Sequence, residues 1–237
     1  MSISSHKSSS QTHRNTHTKA DAEKQAVVEV DNLECMRGYR VLFQSLSFAI
    51  QSSTALHIRG TNGSGKTSLL RILSGLRQPE QGSVYWNGLP ISSNRTQYLE
   101  NISYQGHETG LKSDLNAIEN LEFSIRMQNH NSSFTIQEVL EKLEIDHVSM
   151  LPCFALSAGQ RQRIALARII LSGTTLWILD EPGTALDQTG LQIFESIVTE
   201  HVQNGGMMVF TSHHDFKLES VNYEQLSLDR YAVQSPI

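Results

Sequence analysis

The chain has 237 residues, of which 38% are apolar, 7% aromatic and 18% charged, with a formal net charge of −5. That length allows one ordinary domain with a sizeable core, and the acidic, aromatic-poor balance excludes the basic, aromatic-interleaved surface that tracks a nucleic-acid backbone. No apolar run approaches the roughly 18 residues needed to cross a bilayer, so any membrane role is expected to be peripheral.

From Met1 to about Gln25 the chain is mostly Ser, Thr, His, Lys and Asn, with no apolar segment of the kind a secretory signal needs, and is expected to be a disordered extension (residues 1–25). His6, His13 and His17 lie in it at spacings that fit no metal-ligand pattern. The two cysteines, Cys35 and Cys153, belong to no C-x-x-C pair and read as buried thiols. Strands are predicted from Ala26 to Leu33, Val41 to Ile50 and Thr54 to Ile58. Leu69, Leu70, Ile72 and Leu73 then mark a short helix that ends near Gly75, and Gly82 to Trp86 reads as a further strand.

From about Ser113 to His147 the pattern turns helical, with Ile136, Val139, Leu140 and Leu143 spaced as one buried face. Another helix follows Ser157. The strand Leu176 to Leu179, a helix with Leu191, Phe194 and Val198 on one face, and the strand Met207 to Thr211 complete the order. Strands alternating with helices predict an α/β architecture around a largely parallel sheet.

Two motifs carry chemistry. Gly60-Thr61-Asn62-Gly63-Ser64-Gly65-Lys66-Thr67 fits G-x-x-x-x-G-K-[ST] between a predicted strand and a predicted helix. In such a loop the backbone N–H groups turn toward phosphate oxygens and the helix N-terminus adds positive potential. Lys66 neutralises the β- and γ-phosphates, Thr67 offers its hydroxyl to Mg²⁺, and Ser68 follows in the first helical turn. Leu176-Trp177-Ile178-Leu179-Asp180-Glu181 is an apolar strand ending in two acids. There Asp180 can hold Mg²⁺ directly or through water, and Glu181 can orient a water for in-line attack on the γ-phosphorus.

Leu156-Ser157-Ala158-Gly159-Gln160, at a helix start between these motifs, resembles the L-S-G-G-Q signature of the ABC (ATP-binding cassette) family. Thr184-Ala185-Leu186-Asp187 is similar to that family's D-loop. Ser212-His213 is similar to its switch-histidine loop, with His214 adjoining. The resemblance runs from about Ala26 to the C-terminus. It implies a P-loop NTPase fold, an ABC-type nucleotide-binding domain (residues 26–237) with a RecA-like core, an antiparallel β subdomain and a helical lobe at about residues 108–160. It also implies ATP and Mg²⁺ as cofactors, hydrolysis through Glu181 and His213, and a homodimer in which Ser157, Gly159 and Gln160 meet the nucleotide held by the other subunit.

Within the class, Gly106-His107-Glu108-Thr109-Gly110-Leu111-Lys112, the alanine in the signature and Leu176-Trp177-Ile178-Leu179-Asp180-Glu181-Pro182 look most like the haem-exporter ATPases of cytochrome c maturation. His107 stands where most ABC ATPases carry the Gln that senses the γ-phosphate, and Gln105 falls two places early. This resemblance implies integral membrane permease partners, a peripheral position on the cytoplasmic face of the bacterial inner membrane, and work that serves either haem export or release of a haem-loaded chaperone. The alternatives are an ABC transporter ATPase for another cargo, against which His107 argues, and a soluble non-transport ABC ATPase. The latter usually has a tandem cassette, a coiled-coil insertion or basic appendages, and none is visible here. Three positions depart from the family pattern: Arg37, with Tyr39 nearby, near the place of the adenine-stacking aromatic; Ala158 in the signature; and Gly183, where a larger apolar residue is usual.

Overall fold

The computed structural model describes residues 27–128 and 132–233. The polar N-terminal extension and its three histidines lie outside them. Val27–Arg37 (β1) and Arg40–Gln51 (β2) form an antiparallel hairpin that continues through Gln81–Trp86 (β4) and the short Leu89–Pro90 (β5), giving a sheet of order β2-β1-β4-β5. The second sheet is parallel throughout. Its order is Ile102–Gln105 (β6), Leu176–Asp180 (β7), Met207–Thr211 (β8), Thr54–Arg59 (β3) and Asn222–Ser227 (β9).

Both faces of the parallel sheet are covered, and the side chains divide by alternation. Ala55, Trp177, Leu179, Met208 and Phe210 enter one apolar cluster, which also holds Val139, Leu140, Ile164 and Phe194. Leu56, Ile58, Leu176, Ile178, Met207 and Val209 enter the other, with Leu69, Leu73, Val30 and Phe43. A strand packed on both sides has no solvent face to mark with polar residues, so β7 and β8 read as near-continuous apolar runs.

Helix α1 (Lys66–Leu73) follows β3 and buries Leu69, Leu70, Ile72 and Leu73 against the second cluster. Helix α2 (Arg95–Leu99) precedes β6 and buries Tyr98, whose hydroxyl donates to the Leu73 carbonyl. Helices α3 (Ala117–Gln128) and α4 (Ile136–Lys142) pack on α5 (Ala158–Ser172), within and beside the stretch expected to be helical. Thr135 starts α4 with a capping box closed by Glu138, and Ser157 starts α5 with one closed by Gln160. Each box satisfies two backbone N–H groups at a helix start. Gly173, at φ +62°, ends α5, and α6 (Gln188–Gln203) links β7 to β8.

Two strands of the parallel sheet, β6 and β9, do not stand out in the sequence. β6 is four residues long, and β9 (Asn-Tyr-Glu-Gln-Leu-Ser) is a mostly polar edge strand paired to β3, with only Tyr223 and Leu226 packed on the apolar clusters, one on each.

Candidate functional site

The loop after β3 turns at Gly65, whose φ of +105° places it where only glycine sits without strain. A Cβ there would stand 3.0 Å from the Phe43 ring, so β2 packs directly against the loop. Lys66 Nζ donates to the Gly60 carbonyl at 2.8 Å and reaches that of Thr61 at 3.4 Å, which holds the ammonium over the loop. Thr61 is anchored from the far end of the chain: its N–H and hydroxyl both donate to the Asp229 carboxylate, at 3.0 and 2.9 Å. Asp229 was not foreseen from sequence, since nothing in a polar C-terminal segment marks it.

β7 and β8 are neighbours in the sheet, and their ends carry the acids and the histidine. Asp180 is 4% exposed, and its Oδ1 accepts a 2.6 Å hydrogen bond from the Thr211 hydroxyl. Its Oδ2 is buried without a partner, one of four such side-chain atoms among the described residues, with Ser64 Oγ, Gln105 Oε1 and Trp177 Nε1. Glu181 turns out of the strand at φ +55°, a conformation that costs a non-glycine residue about 1 kcal/mol or more. Its N–H donates to the Thr211 hydroxyl at 3.0 Å, and its Oε2 accepts the His213 N–H at 3.1 Å. His213 Nε2 lies 3.6 Å from Glu181 Oε1.

Thr211, predicted only as the end of a strand, thus ties both acids to β8. The available signal was a hydroxyl residue closing an apolar strand just before Ser212-His213.

One cavity of about 310 Å³ gathers these groups: Asn62, Gly63, Gly65, Lys66, Thr67 and Ser68 from the loop and α1, His107 from beyond β6, and Asp180, Glu181 and His213 from the strand ends. Arg37 and Leu42 complete the wall, whereas Tyr39 is fully exposed and does not line it. His213 faces the cavity and His214 does not; the N–H of His214 donates to Ser212 Oγ instead. Gln105 is a buried residue of β6. Gly183 leaves room for Phe216, whose ring would stand 2.9 Å from a Cβ at that position, so the space a larger side chain would take is filled from another part of the chain.

Ser157, Gly159 and Gln160 are not brought to this cavity. They line a separate surface hollow of about 500 Å³ with His147, Arg163, Ala185 and Asp187. There the tip of α5 meets the segment that follows Glu181. Gln162 Nε2 donates to the Pro182 carbonyl at 2.8 Å, Arg163 Nη2 pairs with Asp187 at 2.7 Å, and a Cβ on Gly159 would stand 2.8 Å from the Ala185 carbonyl. The Asp187 carboxyl is held below its usual range by the Gly190 N–H that it caps and, after that, by Arg163.

The ABC transporter family model matches residues 43–184. The chain is 42% identical over 205 residues to the cytochrome c biogenesis ATP-binding export protein CcmA of Histophilus somni, covering 86% of this chain and 94% of that one. It is 43% identical over 208 residues to CcmA of Haemophilus influenzae, covering 87% and 97%. Among solved structures it resembles a putative ABC transporter ATP-binding protein from Pyrococcus furiosus, with TM-score 0.75, 21% identity and coverage of 87% of this chain and all of that one. It also resembles a dimeric ATP-binding cassette in a post-hydrolysis state with ADP and Pi, with TM-score 0.69, 22% identity and coverage of 79% and 88%. The chain therefore belongs to the ABC transporter family and, within it, to the CcmA group of cytochrome c biogenesis ATP-binding proteins.

Proposed function

We propose that this chain binds and hydrolyses ATP as the motor subunit of a cytochrome c maturation exporter, with the residues of the 310 Å³ cavity as its chemistry. The observation that carries the proposal is the convergence of Lys66, Thr67, Asp180, Glu181 and His213 on that cavity from three separate places in the chain, the start of α1, the end of β7 and the segment after β8. Lys66 and the loop N–H groups take the phosphates. Glu181 orients the attacking water, and His213, held against Glu181 through its own N–H, faces the γ-phosphate. His107, beyond β6 on the way to α3, relates the state of the nucleotide to the helical segment.

Mg²⁺ fits the donors present. Asp180 Oδ2 is a buried carboxylate oxygen lacking a partner, and Thr67, which carries a hydroxyl, lines the same cavity as Asp180. Among the described residues no group of three His, Cys, Asp or Glu could hold a metal alone. This agrees with an ion that takes one carboxylate, one hydroxyl, phosphate oxygens and water. When bound, it neutralises charge that develops on the transferring phosphate.

The partners in this proposal are a second copy of the chain and integral membrane permease subunits, with the ATPase peripheral on the cytoplasmic face of the inner membrane. No described helix is long and apolar enough to cross a membrane, so the translocation path would come from those partners. Deletion of the gene should abolish haem staining of periplasmic c-type cytochromes. Wild-type chain should restore it, and a Glu181→Gln chain that still binds ATP should not. Normal staining in the deletion strain would refute the haem-export assignment, and restoration by Glu181→Gln would refute the role of the carboxylate.

A further inference from the structure

His57 is a fully buried histidine of β3 that lines neither the cavity nor the signature hollow. Its Nε2 is 3.1 Å from the Ser212 carbonyl and its Nδ1 is 2.7 Å from the Tyr223 hydroxyl. A carbonyl oxygen only accepts, so Nε2 carries the hydrogen; in the neutral ring Nδ1 then accepts from Tyr223. Burial favours that neutral ring by lowering the imidazole's proton affinity. Phe210 fixes the ring plane, stacking on it with centroids 4.6 Å apart.

The chain of hydrogen bonds continues. The Tyr223 oxygen accepts from Gln225 Nε2 at 3.3 Å, Gln225 Oε1 accepts from Arg59 Nη1 at 3.2 Å, and Arg59 Nη2 donates to Asp215 at 2.8 Å. Donor and acceptor roles are consistent at every step. The circuit leaves the switch segment at residue 212, passes through β3 and β9, and returns at residue 215, spanning His213 and His214. An exposed ion pair such as Arg59–Asp215 contributes little by itself. Here it closes a loop whose other end is buried.

We propose that His57 and Arg59 are positioning residues that hold the segment carrying His213 in register with the phosphate loop. Both sit on the strand that runs into Gly60, so the same strand carries the phosphate-gripping Lys66 loop and tethers both flanks of the switch histidine. Neither touches the cavity, so their loss acts on turnover rather than on nucleotide affinity. The proposal rests on the assignment of His213 to hydrolysis.

The test is steady-state hydrolysis and ATP binding by the purified full-length chain. His57→Leu and Arg59→Met should each lower kcat about tenfold, by displacing a reacting group from its geometry. ATP affinity should stay within about twofold of wild type, since the phosphate contacts are kept. His57→Gln, which can donate to the Ser212 carbonyl and accept from Tyr223, should recover most of the turnover. Should His57→Leu not fold, Arg59→Met and Tyr223→Phe carry the same test near the surface. Wild-type kcat in Arg59→Met and in whichever of His57→Leu or Tyr223→Phe folds, beside an inactive His213→Ala, would overturn the proposal alone. Wild-type kcat in His213→Ala would remove the assignment beneath it.

Discussion

Thr211 shows how a single hydroxyl organises the edge of the sheet that carries Asp180 and Glu181. It donates to Asp180 Oδ1 at 2.6 Å and accepts from the Glu181 N–H at 3.0 Å, so one oxygen sets the depth of one acid and the departure angle of the next. With Asp180 Oδ2 already unpartnered, Thr211→Val would leave a buried carboxylate with no hydrogen bond at either oxygen. The expected loss is about 1–3 kcal/mol of stability, the cost of a buried polar group deprived of its partner. Turnover should fall and more Mg²⁺ should be needed to support it, while Thr211→Ser stays close to wild type. Chemical denaturation and a Mg²⁺ titration of ATPase activity check this, and a Thr211→Val chain with unaltered Mg²⁺ dependence would dissociate the hydroxyl from the site.

At the scale of elements, the parts legible in the sequence were those fixed by local pattern. The phosphate loop needs glycines at set positions, the acid strand needs an apolar run, and α5 follows Ser157, a residue type suited to a helix start. What was not legible depends on contacts far apart in the chain. Thr61 and Asp229 are 168 residues apart, His57 and Tyr223 are 166 apart, and β9 carries no apolar periodicity because it forms the sheet edge. His107 was singled out by resemblance to relatives, and only the fold puts it on the cavity wall while leaving Gln105 buried.

The seam between β7 and α6 offers a prediction of its own. Trp177 and His201 stack with centroids 3.7 Å apart and planes within 8°, and Gly206 leaves the room, since a Cβ there would lie 2.3 Å from the imidazole. Burial lowers the His201 pKa from 6.5 to about 4, against the opposing effect of its bond to the Met207 carbonyl. Because the folded value lies below the unfolded one, the unfolded chain binds the extra proton first as pH falls. The stabilisation is complete above the unfolded value near 6.5 and is lost progressively down to about 4, with a ceiling of about 3 kcal/mol. Unfolding followed by tryptophan fluorescence between these limits should show the decline. His57 adds to the slope in the same direction, since its pKa is also lowered by burial, so the share owed to His201 is what disappears in His201→Phe. An identical slope in that variant would exclude His201 as the source.

For the whole molecule, the separation of the two hollows is the decisive geometry. Lys66 lies in one and Ser157 in the other, so a nucleotide gripped by both requires two chains arranged head to tail, with two composite sites. The contacts of α5 with residues 182–187 would give such a dimer a mechanical path, since they join the helix that starts at Ser157 to the segment adjoining the same chain's Glu181.

This arrangement can be tested by mixing two inactive variants. Lys66→Ala removes the ammonium from the phosphate cradle. Ser157→Asp keeps a good helix cap, so α5 still starts correctly, but in the proposed dimer it would present a negative charge to the triphosphate of the opposite subunit. Each homodimer has two damaged sites. In the mixed dimer one site combines both lesions, and the other pairs an intact Lys66 with an intact Ser157. Random mixing makes half the dimers heterodimers with one sound site each, so activity should return to about a quarter of the wild-type value if sites turn over independently. Sites built within single chains would give no recovery at any mixing ratio, because each variant would carry its own lesion into every site it forms.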